Sequence, residues 1–135
     1  MTLKLTKSAI DLGIVITDSN RSLGFYRDLL GFRHEGDIPM PIGSGTMHRL
    51  WCGDSLIKLV KFDDDPEATA PPGGINGATG MRYFTIHCSN IPAMAEAARA
   101  AGVAIKVEPT EIRPGVSIAI LADPDGNWVE LVDAS

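Results

Sequence analysis

A chain of 135 residues with 44% hydrophobic content is of single-domain size and can bury a core, which excludes a disordered segment. Its formal net charge of −5, with no basic run, denies a phosphate backbone its main attraction, so nucleic acid is excluded as a partner. No stretch approaches the roughly 20 apolar residues of a membrane span, the first residues lack an apolar leader-like run, and Cys52 and Cys88 lack the Cys-x-x-Cys spacing of a redox or metal motif. The expectation is a cytoplasmic protein with reduced thiols and no membrane partner.

Ile10 to Thr17 reads as a strand, with Ile10, Leu12, Ile14 and Ile16 on one face and Asp11, Gly13 and Val15 on the other. Asp18 or Ser19 caps a helix of about three turns whose Leu23, Tyr26 and Leu30 recur at helical spacing, with Gly31 as its left-handed end. Phe32 to Ile38 predicts a second strand, followed by a Pro- and Gly-rich loop. His34 in that strand reads as a surface residue. Met47 to Cys52 and Ser55 to Phe62 form a hairpin across Gly53-Asp54, and His48 shares a strand face with Leu50 and Cys52.

From Asp63 to Gly80 the composition changes to acid, Pro, Gly and Ala, which marks a linker. Its Asp63-Asp64-Asp65 run is read as solvated surface, because consecutive aspartates lack a calcium-loop pattern. Beyond it Tyr83 to Ser89 is a strand, Asn90 caps an Ala-rich helix ending near Gly102, and Val103 to Val107 is a strand. Val116 to Ala122 and Asn127 to Val132 make a last hairpin. Asp123-Pro124-Asp125-Gly126-Asn127 is its turn: Pro presets one backbone angle, and Gly and Asn tolerate the reversal. Strand parity puts Trp128, Glu130 and Val132 on one face, so a carboxylate stands where an apolar residue is expected.

The two halves repeat. A shift of 72 places lays Gly53 to Val60 over Asp125 to Val132 and Ile14 to Asp18 over Ile86 to Asn90, setting Lys58 against Glu130 and Asp11 against Tyr83. These residues, with Val15 to Asp18, Phe25-Tyr26, Leu30-Gly31-Phe32 and the Asp-Pro-Asp-Gly-Asn turn followed by Glu130, resemble the vicinal oxygen chelate superfamily. That group includes glyoxalase I, bleomycin resistance proteins and extradiol dioxygenases. The resemblance covers roughly residues 8 to 133. It implies an α+β fold of two βαβββ modules, about 8–62 and 81–133 around a 63–80 linker, in one domain spanning 1–135. The modules are expected to form a curved mixed sheet around a cleft, commonly as a homodimer.

In metal-dependent members of that superfamily, His, Glu or Gln, His and Glu bind one divalent ion. By position those places hold Asp11, Lys58, Tyr83 and Glu130, and the ammonium of Lys58 has no lone pair to offer a metal. No cofactor is expected. The substitution instead suggests a neutralised cluster in which Lys58 separates the Asp11 and Glu130 carboxylates and Tyr83 donates a hydrogen bond. The implied function is metal-independent acid–base work on a small oxygenated metabolite by Asp11, Lys58, Tyr83, Glu130 and His87, as an isomerase, epimerase, lyase or cyclase. Trp128, His48 and Arg113 are candidate substrate contacts. A second reading is a bleomycin-resistance-type protein that binds and sequesters its ligand. A third is a glyoxalase-like lyase that keeps a divalent ion on Asp11, Glu130, His87 and water.

Overall fold

The computed structural model describes residues 1–135, and the chain divides into two compact units, Met1–Pro66 and Glu67–Ser135. Each carries one βαβββ module, so the α+β architecture expected from the repeat is the one observed.

In the first unit, β1 (Asp11–Val15) leads into α1 (Ser19–Leu23), which continues as a π-helical turn over Gly24–Leu29 before β2 (Arg33–Pro39), β3 (Gly45–Cys52) and β4 (Ser55–Phe62). The sheet order is β1-β4-β3-β2, with β1 and β4 parallel and the rest antiparallel. Asp18 rather than Ser19 caps α1, its carboxylate accepting from the Arg21 N–H at 3.0 Å. The expected three regular turns are not kept: Leu30 N–H reaches back five residues to the Phe25 carbonyl at 2.9 Å. The wider turn seats Phe25 and Tyr26 together in the core, their rings edge to face at 4.7 Å, and Gly31 at φ 82° ends the element as predicted.

Register sorts this sheet's residues into two faces. Leu12, Ile14, Leu50, Ile57 and Leu59 pair across strands on the side that carries α1; all but the half-buried Leu12 join Ile16, Leu23, Phe25 and Tyr26 in the core. Asp11, Gly13, Arg49, Trp51, Leu56 and Lys58 occupy the far face. On the edge strand β2 the register slips between His34 and Gly36. Glu35 is the extra residue of that bulge, so His34 and Asp37, three apart, both turn to the helix side.

In the second unit, β5 (Tyr83–His87), α2 (Ile91–Ala100), β6 (Ile105–Arg113), β7 (Val116–Ala122) and β8 (Trp128–Asp133) give the sheet order β5-β8-β7-β6. Ala95 and Ala98 of α2 are buried, as are Ala119, Leu121, Val129 and Leu131 of β7 and β8; the alanines keep the helix slim against the sheet. Asn90 occupies the cap position of α2 without a side-chain capping bond, contrary to expectation. Strand β6 starts later and runs further than predicted, through Pro109 to Arg113. An edge strand tolerates the missing N–H there, and Arg113 consequently ends that strand. No helix is long and apolar enough to cross a membrane.

Candidate functional site

On the far face of the first sheet, Asp11 begins β1 opposite Leu56, and Lys58 sits in mid-β4, two register places along. Lys58 Nζ lies 3.5 Å from Asp11 Oδ2, and Lys7, which the sequence reading missed, is closer, with Nζ 2.6 Å from Oδ1. The hydrogen bond from Lys7, then the nearby ammonium charges, outweigh partial desolvation and hold the Asp11 carboxyl below the usual carboxylate range. Lys7 also stands 4.9 Å over the Trp51 ring, and Arg33 5.9 Å over it. Trp51 Nε1 and Arg49 both donate to Glu35, so this face is a continuous band of paired charges.

In the second unit, register pairs Tyr83 with Trp128, Thr85 with Glu130 and His87 with Val132, which places Tyr83, Thr85, His87, Trp128 and Glu130 on the face away from α2. Parity along β5 and β8 makes this arrangement readable from sequence. The donor to Glu130 is a different residue from the expected one: Thr85 Oγ1, directly opposite, donates to Oε1 at 2.7 Å, whereas Tyr83 lies a full pair away. Both Tyr83 and His87 are exposed.

Trp128 also walls a cavity of about 440 Å³ within this unit, together with Pro71 to Gly74, Arg82, Lys106, Ala122 and Asn127. Arg82 fixes the cavity's loop, its guanidinium donating to the Gly74 carbonyl at 2.6 and 3.0 Å and to that of Pro72 at 3.3 Å. Gly74 is required there. Its φ is +74°, and a Cβ would come within 2.7 Å of the Trp128 ring. Lys106 has no ion-pair partner and remains the one cation of the wall not committed to backbone carbonyls.

The remaining candidates lie elsewhere. Arg113 is exposed at the end of β6. His48 faces the helix side of the first sheet, opposite to Asp11 and Lys58, and is 6% exposed. Its Nε2 is 2.8 Å from Ser19 Oγ and its Nδ1 2.7 Å from Asp37 Oδ1, the same oxygen that lies 2.7 Å from His34 Nε2. His34 is therefore half-buried in a polar group and is not the free surface residue expected. The bulge at Glu35, invisible in a parity count, is what hid the association.

The four places that hold metal ligands in the resembled superfamily thus carry an aspartate paired to two ammonium groups, one of those ammoniums, an exposed tyrosine and a glutamate held by a threonine. That donor set does not fit a divalent ion: Lys58 presents positive charge to it and no lone pair.

Comparison with known proteins agrees with this architecture. The profile of the Glyoxalase/Bleomycin resistance protein/Dioxygenase superfamily matches residues 10–131. Among solved structures, a glyoxalase family protein from Bacillus cereus superposes with a TM-score of 0.82 at 17% identity, covering 97% of this chain and 95% of that one. The trypanothione-dependent glyoxalase I of Leishmania major gives 0.70 at 21% identity, over 92% of this chain and 84% of that one. A glyoxalase I mutant from Zea mays gives 0.76 at 22% identity, over 90% of this chain but only 43% of its own longer chain. At these identities the likeness is one of fold. No curated protein sequence matches the chain.

Proposed function

The chain belongs to the glyoxalase/bleomycin resistance protein/dioxygenase superfamily, and from that footing we propose that it is a metal-independent acid–base enzyme acting on a small oxygenated molecule by isomerisation, epimerisation, elimination or cyclisation. The observation that carries this reading is the ammonium of Lys58, 3.5 Å from Asp11 at a superfamily ligand position. An ammonium repels a divalent ion, but it can donate to a developing oxyanion as a metal would attract one.

Asp11 and Lys58 of the first module, with Tyr83, His87 and Glu130 of the second, are the groups assigned to proton handling. Thr85 occupies Oε1 of Glu130 and leaves Oε2 free. Oε2 takes a proton from carbon next to a carbonyl and returns it to the opposite face or to a neighbouring atom, so the proton count closes over the cycle. Asp11, whose carboxyl the Lys7 hydrogen bond holds below the usual carboxylate range, is ionised at neutral pH and so has no proton to supply; its charge positions the Lys58 ammonium. The cavity beside Trp128 offers an aromatic wall and the free Lys106 cation to an anionic or planar substituent, and Arg113 is a further anion contact. His48, on the helix side, is left out of this set.

The proposal includes a homodimer in the cytoplasm. Each four-stranded sheet has two edge strands, and a two-fold partner is a common cover for such edges. Both thiols are free, as a reducing compartment keeps them. Light scattering should give twice the 14.4 kDa chain mass; a monomer at micromolar concentration would remove the dimer from the proposal.

The activity is tested by NMR in D₂O with a panel of 2-oxo acids, 2-hydroxy acids and thiol hemiacetals of 2-oxoaldehydes. Protein-dependent deuterium uptake next to the carbonyl is expected to survive exhaustive chelation and to disappear in Glu130→Gln. Uptake abolished by chelation and restored by a divalent ion would overturn the metal-independent reading. Saturable binding with no exchange or conversion across the panel would favour sequestration, for which the Trp128 cavity would be the binding site.

A further inference from the structure

The polar group on the helix side of the first sheet is not used by the proposed reaction, and its composition is that of a ligand set. His48 leads from β3, Asp37 stands directly opposite it on β2, and His34 is brought to the same side by the bulge at Glu35. Their ligand atoms all lie within 4.8 Å of one another. The shared oxygen Asp37 Oδ1 is 2.7 Å from both His34 Nε2 and His48 Nδ1. The two rings are steeply inclined, at 75° with centroids 6.1 Å apart, so they approach the oxygen from different directions.

We propose that His34 Nε2, Asp37 Oδ1 and His48 Nδ1 form a three-ligand site for one divalent transition ion, with zinc the best fit, and that Ser19 Oγ positions His48 for it. Two imidazoles and a carboxylate are ligands that zinc, nickel and cobalt accept, and three protein ligands leave a position for water. Zinc–ligand bonds of about 2.0 Å at tetrahedral angles separate ligand atoms by about 3.3 Å. To admit the ion, the two 2.7 Å contacts open by about 0.6 Å, and the two imidazole nitrogens, within 4.8 Å of each other, settle to the same spacing. Asp37, at 46% side-chain exposure, gives the ion a route in from solvent, while the buried His48 anchors the site in the core.

Ser19 supplies the outer contact such a site needs. A histidine that ligates through one nitrogen is oriented by a hydrogen bond at the other, and His48 Nε2 lies 2.8 Å from Ser19 Oγ. With the metal at Nδ1, the Nε2–H donates to the serine oxygen. Ser19, His48 and Asp37 also follow the contact order of an acyl-transfer triad. The second histidine on the same carboxylate oxygen has no part in a triad, and it favours the metal.

The chelator-treated full chain should bind about one Zn²⁺ per chain by calorimetry, and Co²⁺ should produce the visible absorption of a low-coordinate site. Asp37→Asn and His34→Asn, both at accessible side chains, should each weaken binding at least ~10-fold, and Ser19→Ala by ~10- to 100-fold at unchanged stoichiometry. Ni²⁺ should broaden the imidazole NMR signals of His34 and His48. Lys58→Met and Glu130→Gln should leave zinc affinity unchanged, which separates this site from the far-face groups. No saturable binding below millimolar Zn²⁺, or affinity undiminished in Asp37→Asn and His34→Asn with native circular dichroism, would overturn the proposal. Labelling of Ser19 by a fluorophosphonate in protein that binds no metal would likewise overturn it, in favour of the triad.

Discussion

Asp123 is the residue on which the last hairpin, and therefore the placement of Trp128 and Glu130, depends. It is 5% exposed, and its Oδ1 accepts from the Asp125 N–H at 3.0 Å and the Asn127 N–H at 2.8 Å while Oδ2 accepts from Asn127 Nδ2 at 3.0 Å. Asp123→Ala removes both acceptor oxygens, and these three contacts, at once. A hydrogen bond to a charged group contributes about 1.5 to 3 kcal/mol net, but the half-buried donors can recover some water. About 1 kcal/mol for each contact is a conservative value, giving a loss of ~3 kcal/mol. An unfolding entropy of about 2.1 cal/mol/K per residue over 135 residues converts this to a fall in Tm of ~10 °C. Asp123→Asn keeps a carbonyl oxygen for the two backbone donors and loses only the contact to Asn127 Nδ2, so it should cost about 1 kcal/mol. Calorimetric scans of the three proteins, fitted to one transition, measure the difference. An alanine variant that melts within about 3 °C of the parent, or an asparagine variant as damaged as the alanine one, would show that the carboxylate does not hold the turn.

Other outcomes follow from single contacts. Gly74→Ala pushes a Cβ to within 2.7 Å of the Trp128 ring at a φ of +74°, where an L side chain is strained by about 1 to 2 kcal/mol. The loop should lift, shifting Trp128 emission toward that of a solvated indole in a Trp51→Phe background, and unchanged emission would refute the packing. Glu35 is held below its ordinary value of 4.5, first by Arg49 and then by the Trp51 N–H, against partial desolvation. A lowered folded pKa means that its contribution is present above the ordinary value and lost as pH falls through the folded one. Glu35→Gln should therefore flatten the decline of Tm between about pH 5 and pH 3, and parallel curves for variant and parent would contradict the pairing. Burial raises the Cys52 thiol above its ordinary range. Peptide mapping after alkylation at neutral pH should find it largely unmodified until the protein is denatured; rapid modification in the native state would refute its burial.

The repeat, the two modules and the strand faces that carry Asp11, Lys58, Tyr83, His87, Trp128 and Glu130 were legible in the order of the residues alone. Those properties follow from alternation along a strand and from turn chemistry, both of which are local. Lys58 was legible as the wrong residue for a metal from its functional group alone. Tertiary structure decided which groups meet. Lys7 reaches Asp11 from outside any predicted element, and Thr85 is chosen over Tyr83 as the donor to Glu130 by the parallel register of β5 and β8. The association of Ser19, His34, Asp37 and His48 depends on one extra residue in β2. A bulge inverts strand parity downstream of itself, and its position is set by the pairing of β2 with β3, a non-local condition that no window of sequence contains.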